Sequence, residues 1–182
     1  MVGKLKGAAL LLFCSMWLTQ GVQAQNCRLS VSQSRIDYGV IRREAFVESP
    51  SVALGTRTMQ LSVTCAEPSV MALRFIAAAD GQGFRFGRQG RFKLRLKHAL
   101  VDGRAVAWEV AQRPGEAASG QFLPGQILVA HATGMPVPGH RLTAQVEVET
   151  DLPSDALQVR NETRLEGQGT FELVSPIAPP TR

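Results

Sequence analysis

The chain has 182 residues, 45% of them hydrophobic, with 20 basic and 15 acidic side chains for a net charge of +5. That length supports one domain with a sizeable core. A basic excess this mild gives no argument for a nucleic-acid partner.

The first 24 residues read as a secretory leader. Lys4 and Lys6 form a charged start, residues 8–18 are largely apolar, and Val22 and Ala24 are small residues at the −3 and −1 positions of a cleavage site. The apolar stretch is shorter than the roughly 18 residues a membrane span needs, and no later stretch approaches that length, so no membrane insertion is expected. Cleavage after Ala24 removes Cys14 and leaves Cys27 and Cys65, with eighteen basic against fifteen acidic residues for a charge of +3. An even cysteine pair in an exported chain is most simply one disulfide; two buried free thiols are the alternative. A bond closing a loop of about 39 residues would contribute roughly 4 kcal/mol on the chain-entropy account.

In chain order, Leu29, Val31, Ile36 and Tyr38 surround a first strand region ending at Gly39. In "TRTMQLSVTC", residues 56–65, Met59, Leu61, Val63 and Cys65 alternate with Gln60, Ser62 and Thr64, the period of a strand with one buried face. Cys65 falls on the apolar phase, so a disulfide there would lie inside the core. Ala66-Glu67-Pro68-Ser69 reads as a breaker, and "VMALRFIA" as a new strand with Met71, Leu73 and Phe75 on one face. "GQGFRFG", residues 81–87, misses the spacing of a dinucleotide-binding loop, has no βαβ unit after it, and reads as a loop between strands.

"RFKLRLKHALV" sets Phe92, Leu94 and Leu96 against Arg91, Lys93, Arg95 and Lys97. Asp102-Gly103 then predicts a hairpin turn with positive φ, and a return strand carrying Val106, Trp108 and Val110. Residues 114–120 read as a loop. "HRLTAQVEVETDL" alternates Leu142, Ala144, Val146 and Val148 with polar partners, and "RLEGQGTFELV" closes the series with Leu165, Phe171 and Leu173. No window of 11 residues sustains a 3.6-residue period. Seven to nine short strands punctuated by Gly and Pro predict an all-β sandwich.

Catalytic chemistry finds no foothold in this pattern. His98, His131 and His140 lack metal-ligand spacing, no G-x-S-x-G elbow occurs, and mutually bonded cysteines offer no nucleophile. No enzyme activity, metal or cofactor is expected. Asn161-Glu162-Thr163 fits a glycosylation sequon, a pattern short enough to arise by chance. The row Arg91, Lys93, Arg95 and Lys97, with Arg85, Arg88 and Arg104 nearby, would align cations roughly 6.5–7 Å apart on one strand face. It reads either as a solvated face guarding against edge aggregation, or as a contact for acidic glycans, lipopolysaccharide or an acidic partner. Trp108 and Tyr38 are the larger aromatics left for stacking a sugar.

These motifs have an order: a cysteine soon after the leader, "IDYG" ten residues on, "LGTRTMQLSVTCAEPSVMALRF" across the second cysteine, "FRFGRQGRFKLRL", and a closing "LEGQGTFELV". Over residues 27–174 the chain resembles the fimbrial subunits, or pilins, of the bacterial chaperone–usher pathway. The resemblance implies an incomplete immunoglobulin-like β-sandwich with Cys27 bonded to Cys65 and its last strand missing. It divides the chain into a signal peptide at 1–24, a pilin-like domain at 25–174 and a proline-containing tail at 175–182. The hydrophobic groove so left would be filled first by a periplasmic pilus chaperone, then by a neighbouring subunit's N-terminal extension. Leu165, Phe171 and Leu173 are the residues expected to border it. An outer-membrane usher is the other implied partner, and a fimbrium on the cell surface the implied destination, after transit through the periplasm.

The residues agree, since Pro176, Pro179 and Pro180 preclude a further regular strand after Leu173. Two departures from the family pattern stand out. A tail follows Val174, and only Gln25 and Asn26 precede Cys27 after the expected cleavage, a reach of roughly 7 Å. A subunit that accepts a strand and donates none belongs at the fibre tip. Cleavage near Cys14 would instead leave residues 15–26 as a donor segment with Met16, Leu18, Val22 and Ala24 on one phase, at the cost of a short h-region and a poor −3/−1 pair. The alternative function is a self-contained periplasmic or surface β-sandwich module that holds an anionic ligand or glycan on the basic strand.

Overall fold

The computed structural model describes residues 27–41, 50–113, 115, 117–158 and 163–174. The expected leader, the 175–182 tail and Asn161 lie outside the described residues. Two antiparallel sheets pack face to face. The first runs in the order β1 (Cys27–Val31), β2 (Ser51–Val70), β13 (Pro138–Pro153), β6 (Gly90–Val101), β5 (Gly83–Phe86) and β4 (Ala79–Asp80). Two short strands, β7 (Arg104–Ala105) and β10 (Gln121–Phe122), also pair with β6. The second sheet runs β14 (Gly169–Leu173), β3 (Ala72–Ala77), β11 (Ile127–Ala132), β8 (Ala107–Val110) and β9 (Ala117–Ala118), with β12 (Met135–Pro136) on β11.

The apolar phase read from the sequence is the phase that is buried. Leu61 and Val63 of β2, Phe92, Leu94 and Leu96 of β6, and Leu142, Ala144, Val146 and Val148 of β13 form one wall. Met71, together with Leu73 and Phe75 of β3, Leu128 and Ala130 of β11, and Trp108 and Val110 of β8, forms the other. Phe75 is the hub, with ring centroids 4.9 Å from Phe84, 6.1 Å from Phe92 and 4.8 Å from Phe171. Cys27 and Cys65 are bonded, and occupy directly opposed positions on β1 and β2.

Several local expectations are corrected. Among the described residues, nine of the fourteen strands have four or more residues, but β2 and β13 are long, at 20 and 16 residues. The 66–69 segment does not end β2: the register on β13 jumps from Arg141↔Thr64 to Gly139↔Ser69, so the extra residues bulge out of a strand that continues. The chain crosses to the second sheet at Met71. The first strand stops at Val31, because from Ser32 onward the chain leaves the ladder. "GFRF" is a strand and not a loop, since Phe84 opposes Phe92 and is fully buried. Asp102 and Gly103 do take positive φ, +48° and +80°. The return strand, however, pairs with β6 only over β7; at Val106 the chain crosses to the second sheet as β8. A bulge at His98, φ +49°, shifts the phase of β6, so that Ala99 and Val101 are buried and Leu100 faces out.

Candidate functional site: the unmatched side of the sandwich

One side of the sandwich is stitched shut. The outer edge of β6 is covered along its length by β5, β10 and β7 in turn, with Leu96 N–H donating to Gly120 O at 2.8 Å between β10 and its neighbours. Residues 117–122 begin in the second sheet as β9 and finish in the first as β10, so one segment ties the two sheets together there. The opposite side is built differently. β1 ends the first sheet and β14 the second, each with a single strand neighbour among the described residues, as have β4 and β9 at the other ends, but β1 and β14 are five residues long and β4 and β9 two. Their Cα atoms approach within 8 Å without pairing.

The side chains that border this side are apolar and incompletely covered. Leu29 and Val31 of β1, Ile36, and Phe171 and Leu173 of β14 are all partly buried and packed against the core. Phe171 stands opposite Phe75, and Leu173 opposite Leu73. Phe171 also touches Phe122, at a centroid separation of 5.7 Å. The glycines of "EGQG" are required by this aromatic floor. A Cβ on Gly169 would overlap the Phe75 ring, and one on Gly167 would sit 2.8 Å from Phe92 Cε1. Leu165 does not join Phe171 and Leu173 on the strand. It lies in the irregular 163–168 segment, where its side chain covers Gly87, and Gly87 N–H donates to Glu166 O at 2.8 Å. Of the run "RLEGQGTFELV", only five residues, Gly169–Leu173, form the strand.

Below β14, the long strands of the first sheet extend past the second, and irregular chain covers their inner face. Residues 32–41 form one cover. Ser32 N–H donates to Gln60 O at 2.8 Å, Gln60 N–H to Ser32 Oγ at 2.9 Å, and Gln33 Nε2 to Thr58 O at 3.1 Å. Further on, Tyr38 shares a 2.9 Å hydroxyl–hydroxyl hydrogen bond with Thr150, a polar residue buried on the apolar phase of β13. The Tyr38 ring meets Phe86 edge-on at 6.2 Å, and the Arg57 guanidinium lies 5.3 Å from its centroid. The motif "IDYG" is thus a strap across the end of the sandwich, with Gly39 N–H turned back onto Asp37 Oδ1 at 2.7 Å. Nothing in its periodicity announced that role.

The basic row lies on the outer face of the first sheet, as its phase required. Across from Arg91, Lys93 and Arg95 stand Asp151, Glu149 and Glu147 of β13, with Gln145 across from Lys97. Lys97 Nζ is 3.5 Å from Glu147 Oε2, and Arg91 is 3.3 Å from Asp80. An acidic stripe one strand away thus offsets the basic one. Trp108 is 4% exposed and faces the core, so it offers no sugar platform. Among the described residues no cluster of His, Cys, Asp and Glu could hold a metal ion, and no helix is long and apolar enough to cross a membrane. His131 lies 3.1 Å from Glu109, and His140 is exposed. Asp102 accepts the backbone N–H groups of His140 (3.1 Å) and Arg141 (2.8 Å), and these bonds hold its carboxyl below the ordinary value of 3.8. That ties the β6–β7 turn to the start of β13. No protein-family model matches the chain, and a search of curated proteins finds no match either.

Proposed function

We propose that the protein is an exported structural subunit of a chaperone–usher fimbria, an incomplete immunoglobulin-like domain that accepts a strand from another chain. The observation that carries this reading is the asymmetry of the sandwich: one side is stitched by β5, β10, β7 and the 117–122 crossing and ends in the two-residue strands β4 and β9, while the other, among the described residues, ends in two five-residue strands flanked by partly covered Leu29, Val31, Ile36 and Phe171. An end strand offers main-chain hydrogen bonds to an extended peptide, and alternate apolar side chains of that peptide would complete the core. Neighbouring strands lie about 4.7–4.9 Å apart, so a strand seated between two edges needs them roughly 9.5 Å apart. At closest approach β1 and β14 are within 8 Å, so entry parts them by a couple of ångströms.

The first occupant would be a strand of a periplasmic chaperone, and the second a strand of a neighbouring subunit delivered at an outer-membrane usher. With cleavage after Ala24 the subunit receives a strand and has none to give, which assigns it to the fibre tip. N-terminal sequencing of the exported protein tests that position: a start at Gln25 supports it, and a start near Ser15 makes this a shaft subunit. The strand-accepting function is tested by producing the exported chain with and without a pilus chaperone. Stable protein recovered only as a chaperone complex is the expected result. A soluble, protease-resistant monomer made alone would overturn it in favour of a self-contained binding module. That second reading draws little from the surface, where Glu147, Glu149 and Asp151 offset the basic row.

A further inference from the structure

We infer that the outer face of the first sheet is a contact surface for a second copy of this chain. The contact uses the face of that sheet and not its edge, so it goes beyond the strand-accepting reading and does not depend on it. Two rows of opposite charge run side by side on this face, with Arg91, Lys93 and Arg95 of β6 directly across from Asp151, Glu149 and Glu147 of β13. Little of that charge is used within the chain. Arg91 turns to Asp80, and Glu147 to Lys97. Among the described residues, Lys93, Arg95, Glu149 and Asp151 have no ion pair, and Arg95 Nε is buried without a hydrogen-bond partner.

The two rows are self-complementary under one symmetry operation. A two-fold axis laid along the strands, above the gap between β6 and β13, exchanges the two strands and keeps each residue's height along them. Arg91 then faces Asp151 of the second copy, Lys93 faces Glu149, and Arg95 faces Glu147, each pair formed twice. An axis laid across the strands would instead set β6 over β6, where like charges meet, so the charge pattern selects the operation. The flanks agree. Thr58, beside Glu147 on β2, comes over Gln121, beside Arg95 on β10, and no like charges meet there. Sheet twist preserves the match, because β6 and β13 are rotated to opposite sides of the axis. After the operation the basic row of one copy runs parallel to the acidic row of the other, and the two twisted faces nest as aligned sheets do. Exposed ion pairs contribute little singly, so the dimer is weak and falls apart as salt rises.

The test is sedimentation equilibrium of the exported chain in the soluble form in which it is recovered, alone or with a chaperone, at up to about 1 mM. The mass of that form should double at about 0.05 M salt and return to the single value at about 1 M, where the screening length is about 3 Å. Glu149→Gln, which removes one pair twice, should weaken the dimer by about 2- to 30-fold. The decisive variant exchanges the rows, with Lys93→Glu, Arg95→Glu, Glu147→Lys and Glu149→Lys together. It keeps opposite charges across from one another within the sheet and should dimerise with itself as the wild type does. Mixed with fluorescently labelled wild type it should form no heterodimer, since like charges then meet at four of the six contacts. Should that chain fail to fold, Lys93→Glu and Glu149→Lys carry the test singly: each alone should lose the dimer, and their mixture should regain it. A wild type that stays monomeric at low salt would overturn the inference. So would a dimer in which wild type and exchanged chain mix freely, or one that no charge variant weakens. Each of these failures leaves the open side of the sandwich, and the reading built on it, untouched.

Discussion

Replacing both cysteines by alanine should cost this domain its open edge before it costs the rest of the fold. The disulfide joins residues 38 apart in sequence. On the chain-entropy account such a loop constrains the unfolded state by about 4 kcal/mol, a large share of the 5–15 kcal/mol typical of a domain. The loss should not be felt evenly. β13 is held by β2 on one side and β6 on the other, whereas β1 has five residues and a single strand neighbour. With the Cys27–Cys65 bond gone, β1 is tied by its ladder to β2 and the partly buried Leu29 and Val31, and local opening becomes cheap. In urea, with a slope of roughly 1–3 kcal/mol per molar, the midpoint should fall by about 1.5–4 M. Hydrogen exchange under native conditions should show faster exchange at Leu29 and Val31 and unchanged protection at Leu142, Val146 and Val148. A midpoint shift under about 0.5 M, with β1 still protected, would refute the view that the bond pins the edge.

Three further outcomes are expected. Gly169→Ala places a Cβ against the Phe75 ring, 2.7 Å from Cε1 and 3.0 Å from Ala77 Cβ; since Phe84 and Phe171 leave Phe75 little room, thermal melting should show a loss of about 1–3 kcal/mol. Phe171→Glu should abolish recovery of a chaperone complex, while Glu172→Gln, on the outward face where it pairs with Arg74 at 2.7 Å, should leave recovery intact; normal recovery of the first variant would count against β14 as a wall of the acceptor site. Asp102 has a folded pKa lowered from 3.8, chiefly by the His140 N–H, so its contribution is present above that pH and is lost as the pH falls through the lower folded value. Acid titration of stability should therefore be steeper in the wild type than in Asp102→Asn, and parallel curves would show that the turn contact does not couple to folding.

Strands with one face in solvent were legible from the sequence and strands without such a face were not. β13 and the first part of β6 could be read residue by residue, because their outer faces carry Glu147, Glu149, Lys93 and Arg95 in strict alternation with apolar partners. β11, at the centre of the second sheet, went unread: in "ILVAHA" Leu128, Val129 and Ala130 are all buried, so no alternation survives to mark it. The bulges at Gly55, φ +82°, and His98 were hidden for a related reason, since each moves the phase by one residue and leaves hydrophobicity unchanged. On the unmatched side, Phe171 and Leu173 are legible as strand residues because they end an alternating run. Ile36 and Tyr38 read from the sequence as part of a strand region, because a strap is defined by what it crosses and not by its own period. Leu165 shares the apolar character of the run but lies off the strand, with its side chain against Gly87.

The unequal length of the two sheets explains why this sandwich is bordered by edges and straps. β2 and β13 run 20 and 16 residues, whereas β3, β11 and β14 of the second sheet run five or six. The surplus inner face, with Val52, Phe92 and Leu152 buried on it, must be covered by something other than a sheet. On the β6 side, the short strands and the 117–122 crossing also close the edge. On the β1 side, the cover is the 32–41 strap and the 163–168 segment, which meet over Phe86 and leave the stretch between β1 and β14 bordered by incompletely buried Leu29, Val31 and Phe171. On the reading proposed above, a partner that supplied one strand there would cover these apolar side chains along their length. On the proposed reading, specificity would reside in the length and register of that strand and not in any charged group on the outer face.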